Sequence, residues 1–286
     1  MPIHTISFSV PAENIVDHVP EKEKMVADCQ YNSRAFLVEE DYFAEYKRSL
    51  FGNTKKKAGW DCLRHYEILA NGCIPYFENI DDIPPKTMAD FPRDIVKRGM
   101  MLKDLNRDEY VPIIEELLDY TRKNLTTEAR ARYILRILGK RPDDIKSVLF
   151  LGGSNFPDYL RCNVLHGFKM LYGEKCVDYV RIPHMYDSYP SSIRNDLFSH
   201  GFTYAFRVPA IHDIMCDRSN IEDRIRKHEF DIVVYGSIHR GMPFLETVLK
   251  HYKHDELAFM CGEDIGTCNF SHDGLASLYH LFVREQ

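Results

Sequence analysis

Between Ser49 and Pro75 the chain gathers side chains able to hold a nucleoside diphosphate. Lys55, Lys56 and Lys57 precede Gly59, and Arg64 and Glu67 follow three residues apart. Negative charge builds on a diphosphate as it leaves, so its site needs cations or oriented amides. Each charge-assisted bond contributes roughly 1.5–3 kcal/mol once desolvated. A helix starting after Gly59 adds the positive end of its dipole. Glu67, one turn beyond Arg64, is placed to accept hydrogen bonds from ribose hydroxyls, and Trp60 either stacks on a base or packs between two halves of the protein. The candidate donor-binding set is Ser49, Thr54, Lys55, Lys57, Gly59, Trp60, Arg64, His65 and Glu67. The competing reading makes the lysines a solvated turn and Arg64–Glu67 a surface pair worth a few tenths of a kcal/mol.

A second constellation lies in the C-terminal half. The loop Gly152-Gly153-Ser154-Asn155-Phe156-Pro157-Asp158 follows an apolar strand and precedes a helical pattern. Ligands of doubly wound folds sit at such strand ends. The loop is no dinucleotide fingerprint, because the third glycine and the later acidic residue are missing. Two further strand ends carry Gly236-Ser237-Ile238-His239-Arg240 and Gly262-Glu263-Asp264. The catalytic candidates, in order of preference as general base, are Asp158, His239, Glu263 and Asp264. The acceptor-side candidates are Gly153, Ser154, Asn155, His184 and Arg240. For any one of these loops, turn geometry alone is a sufficient explanation.

These residues need elements to position them. Ile6–Val10 alternates like a short strand, Arg34–Val38 reads as another, and Glu40–Ser49 as a helix. Cys62, Leu63, Tyr66, Leu69 and Ala70 share one arc of a helix over Trp60–Asn71, with Asp61, Arg64 and Glu67 opposite. Cys73–Phe77 resumes as strand, and the prolines at 84, 85 and 92 impose turns on Asp81–Pro92. Helices follow over Tyr110–Asn124, with Pro112 in its first turn, and Thr127–Leu138, capped by Thr126 and ended by Gly139. Lys140–Asp144 is the best boundary, dividing residues 1–140 from 141–286. Beyond it, strands are expected at Ser147–Leu151, Cys176–Arg181, Phe202–Val208, Asp231–Tyr235 and Leu257–Met260. Helices are expected at Asp158–Tyr172, Ile221–His228, Pro243–Tyr252 and Gly274–Glu285. This alternation predicts an α/β protein with a doubly wound parallel sheet.

Composition narrows the classes. The 286 residues suit two domains of about 100–150 each. The 44% hydrophobic and 28% charged content fits an ordinary globular protein. A net charge of −6 argues against general nucleic-acid binding. No charged leader with an apolar core and no long apolar run is evident, so neither secretion nor a membrane span is expected. Eight cysteines are then expected as reduced thiols in a cytoplasmic setting. With no Cys-x-x-Cys and no His-x3–5-His, a local zinc module is disfavoured. Asn124-Leu-Thr and Asn269-Phe-Ser match the glycosylation pattern by chance in such a setting.

The first motif resembles the donor half of exostosin-like glycosyltransferases at Ser49, Phe51, Arg64, Glu67, Gly72, Cys73, Ile74 and Pro75. The run Lys-Lys-x-Gly59-Trp-Asp-Cys-Leu-Arg64-His-Tyr-Glu67 is similar to small glycosyltransferases of large algal viruses, xylosyltransferases among them. The Tyr235–Arg240 and Gly262–Asp264 loops resemble the other lobe of the same proteins. Together the likeness covers roughly residues 1–100 and 146–286. It implies two Rossmann-like lobes in a GT-B arrangement and transfer of a sugar from a UDP-sugar to a glycan hydroxyl. It further implies inversion with an acidic general base and no metal or other cofactor. The donor-like lobe comes first here, the reverse of the usual order, which implies a circular permutation that makes Ile6–Pro11 and Phe282–Glu285 neighbours. Two other readings stay open: a methyltransferase using the Gly152-Gly153 loop for S-adenosylmethionine, and a non-catalytic nucleotide- or glycan-binding protein.

Overall fold

A computed structural model describes residues 3–29, 35–264 and 272–286, with no side-chain description at 272 and 273. In chain order the first elements are β1 (Ile3–Thr5), β2 (Lys24–Val26), α1 (Glu39–Lys47), β3 (Ser49–Thr54), α2 (Leu63–Ala70) and β4 (Ile74–Phe77). Three helices follow: α3 (Arg93–Met100), α4 (Arg107–Asn124) and α5 (Thr127–Ile137). The remainder is β5 (Val148–Gly152), α6 (Tyr159–Tyr172), β6 (Cys176–Tyr179), α7 (Ile211–Ile214), α8 (Ile221–Arg226), β7 (Ile232–Ser237), α9 (Leu245–His251), β8 (Leu257–Cys261), α10 (His272–Leu278) and β9 (His280–Val283).

The strands form two parallel sheets, a three-stranded one ordered β2-β3-β4 and a six-stranded one ordered β1-β9-β8-β7-β5-β6. Every residue of β5, β7 and β8 is buried, which is why these strands read as unbroken apolar runs. Their side chains still divide by face. Phe150, Val234, Met260 and Phe282 join a cluster with α6 and with Leu50 and Ile74 of the small sheet. Leu149, Val233, Phe259 and Leu281 pack with Ile225 of α8 and Val248 of α9. One apolar cluster thus runs under both sheets. After β5 the chain steps outward to β6 and then back past β5 to β7, so the strand order reverses between β5 and β7. The carboxyl ends of those two strands frame a crevice.

Several expectations need correction. Ile6–Val10 is no strand: β1 precedes it, and its buried backbone is satisfied piecemeal, with Ile6 N donating to Val283 O and Val10 N to Leu125 O. Of the 34–38 strand, Arg34 lies outside the described residues and the remainder turns into α1. Ser49 belongs to β3 rather than to the preceding helix. α4 begins earlier, at Arg107, capped by the Asn106 side chain on Asp108 N, so Pro112 sits in its second turn. The Thr126 cap on Ala129 N and the left-handed Gly139 after α5 are as expected. Phe202–Val208 is a run of turns holding only an isolated bridge from Val208 to Tyr186. Gly274–Glu285 divides into a helix and the buried strand β9, because a four-residue apolar run shows no periodicity that separates helix from strand. Asn269-Phe-Ser lies outside the described residues. Among the described residues no helix is long and apolar enough to cross a membrane.

Candidate functional site

A cavity of about 340 Å³ opens where the start of α2 faces the carboxyl ends of β5, β7, β8 and β9. The three-stranded unit contributes Lys57, Gly59, Asp61, Arg64 and Glu67 to its wall; the six-stranded unit contributes Asp158, Arg240, Glu263, Asp264 and Arg284. Residues from both sequence constellations therefore share one cleft.

On the first wall α2 is buried along its whole length, so the solvated-pair reading of Arg64 and Glu67 fails; each is only 6% exposed. Glu67 accepts from Tyr42 Oη at 2.8 Å and from Thr203 Oγ1 at 2.6 Å. Burial raises its pKa, opposed by those two hydroxyls and by Arg64. Trp60, His65 and Thr54 are absent from the cavity wall and act behind it. His65 Nε2 donates to Trp60 O at 2.8 Å, which makes Nδ1 the acceptor for Thr54 Oγ1 at 2.8 Å. Burial depresses His65 to about 3, so the ring stays in this neutral form and fixes the loop to the helix. Ser49 is fully buried and donates to Glu45 O. Lys55 is exposed and outside the cavity, Lys56 lies 5.4 Å over the Trp60 ring, and Lys57 reaches the rim.

The loop before α2 is fastened to the end of β9. Arg284, 3% exposed, donates to Asp61 O at 2.6 Å, to Gly262 O at 2.9 Å, to Glu285 Oε1 at 2.7 Å and to Asp264. Asp61 N donates in turn to Glu285 Oε1 at 2.8 Å. Gly59 is required by this approach, since a Cβ there would stand 2.3 Å from Glu285 Oε1 and 2.6 Å from Asp264 Oδ1. The Asp61 carboxylate accepts from Phe8 N and Tyr66 Oη. Burial lifts it to about 6, against the pull of Arg284 and these donors. A second fastening lies beyond Glu67, where Thr203 N donates to Glu39 and Arg207 pairs with the same carboxylate.

On the opposite wall Asp158 is the N-cap of α6. Its Oδ1 accepts from Arg161 N at 3.0 Å, and its Oδ2 from Ser237 Oγ at 3.0 Å, with His239 Nε2 at 3.5 Å. Burial works to raise its pKa, but His239 and Arg161 prevail and hold it near 2. His239 Nε2 also contacts Glu263 Oε1, whose carboxylate remains 23% exposed on the cavity side. Gly153 lies so close to the β7 loop that a Cβ would meet Arg240 O at 1.9 Å. Ser154 and Asn155 are not on the wall; their loop is held by Arg161, which donates to Ser154 O at 2.7 Å and to Phe156 O. His184 is also away from the cavity, buried beside Cys162 Sγ at 3.6 Å and depressed to about 4 by burial and Arg161.

The sequence reading passed over Tyr42, Phe198, Ser199 and Arg284, all on the wall. An aromatic ledge borders the mouth there: Phe198 meets Phe156 edge-on at 5.5 Å, and the Arg240 guanidinium lies 4.8 Å over Phe156. Among the described residues no cluster of three or more His, Cys, Asp or Glu side chains is arranged to hold a metal ion, and seven cysteines are free thiols. No family model, curated protein or solved structure matches this chain.

Proposed function

We propose that the protein is a glycosyltransferase that moves a sugar from a UDP-sugar, with xylose the first candidate, to a hydroxyl of a glycan acceptor. One observation carries the reading. A single cavity sets Lys57, Arg64 and the start of α2 opposite Glu263, Asp264 and Arg240 at parallel strand ends. Cations on one wall suit a departing diphosphate, and a carboxylate on the other suits a general base. The cavity volume lies within the usual range of about 300–1,000 Å³ for small-molecule sites.

In this scheme Arg64 and Lys57 neutralise charge as it develops on the β-phosphate oxygen. Glu67, steadied by Tyr42 and Thr203, keeps lone pairs for the ribose hydroxyls. The acceptor oxygen attacks the anomeric carbon, the bond to the diphosphate breaks, and the acceptor proton passes to a carboxylate, a contribution of roughly 10²–10⁴ in rate. We assign that carboxylate to Glu263 in place of Asp158. Both carboxylates line the cavity, but the Asp158 side chain is 8% exposed with its pKa held near 2, whereas Glu263 is 23% exposed and contacts His239. The two units are read as the donor and acceptor lobes of a GT-B arrangement in permuted order. The acceptor enters along the Phe156–Phe198 ledge, whose ring faces suit sugar C–H groups.

A methyl-donor reading has less support. In the Gly152-Gly153 loop it would use, Gly153 packs against Arg240 O of the β7 loop. The test is calorimetry with UDP followed by turnover with UDP-sugars. Micromolar UDP binding that Arg64→Ala weakens at least tenfold supports the proposal. Unchanged affinity in that variant removes it. UDP binding without donor hydrolysis or transfer across a panel of sugars returns the protein to a binding role.

A further inference from the structure

A second cavity, of about 730 Å³, shares no wall residue with the first. It is formed by the end of α4, one face of α5 and the connection into β5. Six cations line it, Lys123, Arg130, Arg132, Arg136, Lys140 and Arg141, against one carboxylate, Asp90. Such a concentration is unexpected in a chain whose net charge is −6. Two of the cations are compensated nearby, Lys140 by Asp255 at 2.9 Å and Arg141 by Asp144 at 3.0 Å. Lys123, Arg132 and Arg136 have no ion-pair partner among the described residues and are exposed.

Arg130 separates this cavity from a merely solvated basic face. It is 1% exposed, and its Nη1 pairs with Asp90 Oδ2 at 2.5 Å. Its Nε and Nη2 are buried and have no hydrogen-bond partner. A guanidinium presents its donors as a planar fork matched to two oxygens of one anionic group. The Arg130 and Arg136 guanidiniums both lie over the Tyr133 ring, 5.7 and 5.4 Å from its centroid, so one aromatic side chain gathers two of the cations. Tyr120 Oη donates to Asp90 O, which fixes the strand of chain that supplies the lone carboxylate.

We infer that this groove is a second binding site, for a small molecule carrying two or more phosphoryl groups, with Arg130 receiving one and Arg132 and Arg136 the other. The volume fits a compact ligand, and the buried fork favours an inserted terminal group over the smooth backbone of a polymer. The inference is independent of what the first cavity binds.

The experiment is calorimetry of the full chain with inorganic pyrophosphate, alone and with UDP at saturation. Arg132→Glu with Arg136→Glu alters only exposed side chains. Pyrophosphate should bind wild type with UDP present or absent, and the double variant should lose at least tenfold of that affinity while its UDP affinity is unchanged. Loss of pyrophosphate binding on UDP saturation would overturn the inference, because the anion would then occupy the first cavity. Equal affinity in wild type and double variant would also overturn it. So would a single-stranded RNA oligonucleotide binding more tightly than pyrophosphate and lost with the same two charges.

Discussion

Replacing Gly153 by Ala tests how the two halves of the cleft divide their labour. The new methyl would stand 1.9 Å from Arg240 O and 2.5 Å from Gly241 Cα, both backbone atoms. Real Cβ contacts begin above about 3 Å, so the β5 and β7 loops must part by roughly 1 Å. Overpacking of this kind costs about 1–3 kcal/mol. In a chain of this size the melting temperature should fall by roughly 2–4 °C per kcal/mol. Function should suffer more than stability. The displaced loop carries Arg240 and borders His239, which orients Glu263. A misplacement near 1 Å can cost on the order of 10²-fold in rate. Lys57 and Arg64 stand on the other wall and do not move. Turnover should therefore drop about 100-fold while UDP affinity, by calorimetry, stays within about twofold. Wild-type turnover in a folded Gly153→Ala protein would refute the argument, as would equal losses of turnover and UDP affinity.

Four more outcomes are expected. Arg64→Ala should weaken UDP by about 10–150-fold in calorimetry, the equivalent of one charge-assisted bond. Glu263→Gln should lower kcat by roughly 10²–10⁴ and leave UDP affinity unaltered, whereas Asp158→Asn should show itself mainly as a lower melting temperature. Gly59→Ala, pressed against the Glu285 carboxylate, should destabilise by about 1–3 kcal/mol and weaken UDP as well, read by urea titration and calorimetry. Acid should unfold the protein early. Burial holds His65, His166 and His184 at about 3, 4 and 4, so the unfolded chain takes up three more protons as pH falls from 6.5 towards 4. Asp61, raised to about 6, takes one up in the native state and offsets one of them. These four groups together give a slope of about 3 kcal/mol per pH unit. Urea midpoints equal at pH 7.5 and pH 5 would contradict it.

Much of the α2 wall was legible because its signal is local. Arg64 and Glu67 lie one turn apart, and a glycine ends the lysine run before them. The strands β5, β7 and β8 were legible as buried apolar runs, which left their loops at one end of a parallel sheet. Arg284 was not legible. Its partner Asp61 lies 223 residues away along the chain, and β9 carries too few residues to show a period. The Phe202–Val208 turns escaped for another reason: Thr203 and Phe206 adopt positive φ although neither is a glycine. Asp158 carries a signal with a second meaning. An aspartate directly before an apolar helix is also a cap, and its Oδ1 accepts from Arg161 N.

Arg284 on Asp61 and Glu285 at one margin, and Glu39 and Glu67 with Arg207 and Thr203 at the other, leave the trough stitched at both ends. A jaw that gapes would have to tear one seam. Exchange of a ligand in the cavity should then proceed through the unstitched flank, and because the seams are largely shielded from solvent, added salt should change its speed little.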